Sequence, residues 1–148
     1  LVSEDGGESI KAHSNILSVS SPVLKSMLNG GFSEASSKKI TITQTLPTGS
    51  LKLFLQLVYC GCTSETNTQH AVVLGALDLS HCWQIDHVVE ICERWLATLL
   101  RRSNLVEITE FAVLKGVSHL QNECKKYISA DEDIMEKCRS GYFPAAVY

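Results

Sequence analysis

The chain has 148 residues, with Lys+Arg 13 against Asp+Glu 16, a formal net charge of -3 and 45% apolar residues. A chain of this length buries roughly two thirds of its unfolded surface, enough for one compact domain, alone or with a small helical appendage. The charge argues against a dedicated nucleic-acid binder, which carries a basic face. Its dense basic spots, Lys38-Lys39, Arg101-Arg102 and Lys125-Lys126, have no aromatic stacking platform beside them. Only 3 prolines and 20% charged residues also exclude disorder as the main content.

No apolar run approaches the roughly 20 residues that span a bilayer, so no membrane partner is expected. Leu1-Val2-Ser3-Glu4-Asp5 lacks the pattern of a signal peptide, and the abrupt start without Met is expected of a piece of a longer protein. Of the 6 cysteines, Cys82, Cys92, Cys124 and Cys138 fall in apolar periodic stretches, where a free thiol acts as a small hydrophobe. That usage fits a reducing compartment, hence a cytoplasmic and/or nuclear location.

In chain order, Glu4-Asp5-Gly6-Gly7 predicts a tight turn, and the alternation in Glu8-Ser9-Ile10-Lys11-Ala12 predicts a half-buried strand whose partner ends at Leu1-Val2. Ser14 to Val19 predicts a short helix with Ile16 and Leu17 as its apolar pair. Ser21-Pro22 restarts the helix, Ser as cap and Pro at the first helical position. That helix runs to about Asn29, where Gly30-Gly31 offers a left-handed stop. A polar loop follows, then Lys39-Ile40-Thr41-Ile42-Thr43 as a strand. Leu51, Phe54, Leu55 and Val58 recur at helical spacing up to Tyr59, with Gly61 as terminator and Cys62 to Thr68 as loop. Val72, Val73, Ala76 and Leu77 mark the next helix, and Ile85, Val88, Val89, Cys92, Trp95 and Leu96 the one after. Beyond a soft boundary near Arg101-Arg102-Ser103, Asn104 with Glu107 has capping-box spacing, and Ser118 with Gln121 repeats it. Gly116 stops the first of these helices; Asp131 caps a last one that Gly141 ends.

Candidate chemistry is sparse. Cys60-Gly61-Cys62 with His70, His81 and Cys82 lacks the paired spacing of structural zinc, so no metal is expected. No cysteine carries a nucleophile signature, chance proximity accounts for 5 histidines in a chain of this size, and Gly30-Gly31 lacks the rest of a phosphate-cradling loop. Asp131-Glu132-Asp133 suits a helix start, where the macrodipole favours negative charge. Neither a cofactor nor an enzymatic activity is expected. Phe32-Ser33-Glu34 is less bland: it sets a large aromatic and a carboxylate in a loop between helix and strand. Such a Phe either plugs the local core or faces solvent as an interface anchor.

The run from Ile10 to Leu28, with Ala12-His13, Ile16-Leu17 and Ser21-Pro22, resembles the BTB/POZ domain. Lys39-Ile40-Thr41-Ile42, Leu57-Val58-Tyr59-Cys60-Gly61, Ala76-Leu77-Asp78-Leu79 and Cys92-Glu93-Arg94-Trp95-Leu96 are similar to that family's later elements in order and spacing. Asn104 to Ile128 resembles the helical pair that follows the BTB core in the speckle-type POZ protein and opens the BACK domain of kelch-like proteins. The resemblance implies an α+β BTB/POZ fold over residues 1–101, truncated at its N-terminus, and an all-helical extension over 102–148 that starts a BACK-like region.

It also implies a protein-interaction module and not a catalyst. Many members are substrate adaptors that dock onto the cullin-3 scaffold of a ubiquitin ligase through an apolar-x-Glu loop, which Phe32-Ser33-Glu34 matches in type and place. By the same resemblance Tyr59 faces the scaffold, the alternative being a packed ring with its hydroxyl in water, and the helices after Asn104 extend the surface. Members dimerise through their first helices; Ile16 is the best dimer-face residue here, with ordinary core packing as its alternative. The substrate would be held by another part of the full protein. Ser14, Ser20 and Leu24 depart from the family's Lys, Arg and aromatic at those positions. The loss of Lys and Arg at Ser14 and Ser20 weakens the charged groove used for corepressors, so a homodimerising scaffold or corepressor-recruiting module of a transcription regulator ranks second.

Overall fold

Local sequence chemistry sets most helix ends in the computed structural model, which describes residues 2–3, 9–64 and 68–141. The chain forms two compact units, residues 1–92 and 93–148. In the first, β1 (Val2–Ser3) is followed by α1 (Ser14–Ser20), α2 (Pro22–Asn29), α3 (Ser33–Ser37), β2 (Thr41–Ile42), α4 (Ser50–Cys60) and α5 (His70–Cys82). Then α6 (Asp86–Leu99) begins; its second half belongs to the second unit, with α7 (Leu105–Leu114), α8 (Ser118–Ser129) and α9 (Glu132–Arg139).

Helix outweighs the expected α+β balance. Among the described residues the one sheet is the parallel pair of β1 and β2, which sets Val2 opposite Thr41 and Ser3 opposite Ile42. The turn expected at Glu4 to Gly7 lies outside the described residues. The strand expected to follow it is reduced to a single bridge at Ser9, and Ile10 to His13 carry no regular structure.

Ser21 caps α2 as expected, and does more. Its Oγ accepts from the Leu24 amide at 3.0 Å and donates to the Trp83 carbonyl beyond the end of α5, with the residue fully buried. The Trp83 indole meets the edge of Phe54 at 5.2 Å between centroids, and Phe54 is wholly buried in α4. That helix is apolar nearly all round: Leu51, Leu53, Leu55, Leu57 and Val58 are also buried, as befits a central helix. Gly61 closes it in the left-handed conformation, φ 66, its amide donating to the Leu57 carbonyl at 2.9 Å. Against it, α5 approaches closely because Gly75 has no Cβ; one would collide with the Ser50 side chain. Burial in that tight contact leaves the Ser50 hydroxyl without a hydrogen-bond partner.

Several local expectations are corrected. The end of α2 is extended and not left-handed: Gly30 has φ -82 and ψ -173, and glycine is needed there because a Cβ would collide with the Ser26 carbonyl that its amide reaches. The expected polar loop contains α3. Cys82 is exposed, at the C-terminus of α5, while Cys92, Cys124 and Cys138 are buried as expected.

In the second unit Leu105, Ile108, Ala112, Leu120, Cys124, Ile128, Ile134 and Cys138 are buried; burial pushes the Cys124 thiol up from its ordinary pKa. Asn104 stands at the N-cap of α7 as expected, but its side chain makes no capping bond. Its side chain accepts from the Arg101 amide at 2.8 Å and donates to the Leu99 carbonyl at 2.9 Å, bracing the turn that leaves α6. Ser118 is the first residue of α8 and not its cap, and Gln121 turns to the Ala112 carbonyl at 2.9 Å. Gly116 is left-handed at φ 67, as a helix stop requires. Asp131 does cap α9, accepting from the Ile134 amide at 3.3 Å, and it also receives the Arg102 guanidinium, which reaches Asp133 at 2.8 Å.

Ser21→Ala removes a cap and orphans a buried carbonyl, so it is expected to lower stability to urea by about 2–4 kcal/mol. At Asp131, partial burial pulls the carboxyl pKa up, but the Arg102 and Ile134 hydrogen bonds outweigh it and hold the group below its ordinary range. A depressed carboxylate stabilises the fold above its unfolded pKa and loses that contribution as pH falls through the folded value. Thermal melts of wild type and Arg102→Ala should therefore differ at neutral pH and converge below about pH 4.

Candidate functional site

The chain between α2 and β2 displays Phe32. Glycine at 30 leaves room for the aromatic ring, whose Cδ2 would stand 3.1 Å from a Cβ there. Phe32 is the N-cap of α3, with extended backbone and its carbonyl receiving the Ala35 amide at 3.1 Å. Anchored through its backbone, the residue keeps its side chain outward: Phe32 is 59% exposed. Glu34 lies in the first turn of α3, half-buried, its Oε2 accepting from the Ser33 hydroxyl at 3.0 Å.

Tyr59 lies near the end of α4, 39% exposed. Its hydroxyl accepts from the His13 amide at 2.7 Å and lies 3.0 Å from His13 Nδ1, the rings being 5.8 Å apart. His13 is the N-cap of α1, so this contact ties the start of that helix to the end of α4. Beside it is a cavity of about 330 Å³ lined by Ile10, His13, Leu55 and Tyr59 among others. Among the described residues no hydrogen bond, ion pair or ring contact joins Phe32 or Glu34 to Tyr59.

Ile16 and Leu17 do not act as a pair. Leu17 is buried at 3% exposure, whereas Ile16 is 37% exposed, and Val19, one turn on, is 90% exposed. Val19 is an apolar surface residue that the sequence reading passed over, although its i,i+3 spacing from Ile16 marks one helix face. Leu114 and Val113, at the end of α7, are likewise exposed; the unbroken Phe111-Ala112-Val113-Leu114 run is wider than one buried stripe, which is the signal for them. Among the described residues no three His, Cys, Asp or Glu side chains are placed to hold a metal ion, and no helix is long and apolar enough to cross a membrane.

The first unit thus combines a small parallel strand pair with helices in the order given, and displays an aromatic between α2 and β2. The chain belongs to the BTB/POZ domain family, whose sequence model matches residues 1–100. It is 26% identical over 129 residues to BTB/POZ and TAZ domain-containing protein 5 of Arabidopsis thaliana, covering 86% of this chain and 34% of that protein. Kelch-like protein 8 of Caenorhabditis elegans is 29% identical over 126 residues, 84% of this chain and 17% of its own length. Kelch-like ECH-associated protein 1B of Danio rerio is 28% identical over 117 residues, 79% of this chain and 19% of its own. The chain thus spans about a third or less of these relatives. A BTB domain is a protein-interaction module.

Tyr59→Phe keeps the ring and deletes the hydroxyl that receives His13. With its partner exposed, the loss should be modest, about 0.5–1.5 kcal/mol in urea unfolding.

Proposed function

We propose that this BTB domain docks onto the N-terminal domain of cullin-3 through the Phe32-Ser33-Glu34 loop, as the adaptor component of a ubiquitin ligase. The observation that carries the proposal is the 59% exposure of Phe32, a side chain that ordinarily fills a core. Its ring would enter an apolar pocket of the scaffold, and Glu34 would pair with polar groups at the rim. Tyr59, already bonded to His13, would present one ring edge to the same partner. Residues 102–148 would be the helical extension that starts a BACK-like region. The substrate would be held by another part of the full protein, in the cytoplasm and/or nucleus.

A second reading is supported by α1. The exposure of Val19 at 90% and Ile16 at 37% suits a homotypic contact between two copies, as in a scaffold or a corepressor-recruiting module.

Calorimetric titration with the cullin-3 N-terminal domain tests the first reading. Wild type should bind, and Phe32→Ala combined with Glu34→Lys should lose at least about 2 kcal/mol, roughly 30-fold in Kd. No binding by folded wild type would sink the adaptor reading and leave the homotypic one.

A further inference from the structure

Immediately after the Phe32 loop the backbone does something unfavourable. Lys38 closes α3 at φ 53 and ψ 28, in the left-handed region, where a side chain is disfavoured and glycine or asparagine is usual. Lys39 follows it, and both are exposed. Among the described residues neither ammonium group has a carboxylate partner.

Had α3 continued by one helical residue, Lys38 would lie four positions after Glu34. That Glu-before-Lys order is the one that favours an ion pair along a helix. The left-handed turn takes Lys38 off the helix, and no such pair forms. Among the described residues the Glu34 carboxylate bonds to the Ser33 hydroxyl, and only the Glu34 backbone carbonyl reaches Lys38, accepting its amide at 2.9 Å. The segment therefore presents an exposed aromatic, a carboxylate and two adjacent ammonium groups as separate determinants within Phe32 to Lys39. Backbone strain kept where glycine would relieve it points to a use for the side chain.

We infer that Lys38 and Lys39 are the electrostatic arm of this docking surface, selecting a partner whose apolar pocket for Phe32 is rimmed by carboxylates. The inference rests on the docking reading above and adds the partner's charge to it. Rim charges act on encounter more than on residence: they steer association and are screened by salt.

Stopped-flow association with the cullin-3 N-terminal domain, at low and high ionic strength, is the test. Lys38→Gly should melt at a higher temperature than wild type, because the strain is gone, yet associate about threefold more slowly. Lys38→Glu with Lys39→Glu should slow association at least about tenfold at low salt, with dissociation nearly unchanged and the deficit shrinking above about 0.5 M salt. Lys38→Arg should keep the wild-type rate. Wild-type binding with an undiminished rate in the double reversal would overturn this inference and leave the docking reading intact. A folded wild type that does not bind would overturn both.

Discussion

The buried hydroxyl of Ser21 is the contact on which the first unit depends. It accepts from Leu24 to start α2 and donates to the carbonyl of Trp83, so one side chain both begins a helix and fastens it to the far end of α5. Only a group that is donor and acceptor at once can do this in a dry site. Trp83 carries the constraint onward through its edge contact with Phe54, the fully buried centre of α4. The Tyr59 and His13 pair repeats the device more weakly at the surface, holding the start of α1 against the end of α4.

With the helices so fixed, the loop between α2 and β2 is free to serve display. Its two ends are set by backbone and not by side-chain burial. At one end Gly30 is forced by the Ser26 carbonyl; at the other Lys38 turns left-handed. Between them none of the residues of α3 is buried. A segment with no fully buried residue, a defined helical turn and an exposed aromatic is what the proposed docking reading calls for.

Much of this was legible in the sequence where the physics is local. Ser21-Pro22, Gly61, Gly116 and Asp131 each act on their own helix end, and each lies where the spacing put it. The capping boxes expected at Asn104 and Ser118 do not form, although Asn104 holds the N-cap position, because neighbours that a spacing rule does not contain take the side chains: the Leu99 carbonyl takes Asn104 and the Ala112 carbonyl takes Gln121. Helix α3 was invisible because Ser-Glu-Ala-Ser-Ser has no apolar periodicity. The site was half legible. Phe32 stood out as an aromatic in a polar loop, with core plug and interface anchor both open; its exposure is a property of the packed chain, and so is the division of Ile16 from Leu17.

On the proposed docking reading a partner covers this loop. Amide hydrogen exchange on the chain, with and without the cullin-3 N-terminal domain, tests it most directly. Exchange should slow across Gly30 to Lys39, with the buried amides of α4 unchanged. Binding that leaves Gly30 to Lys39 exchanging as in the free protein would contradict it.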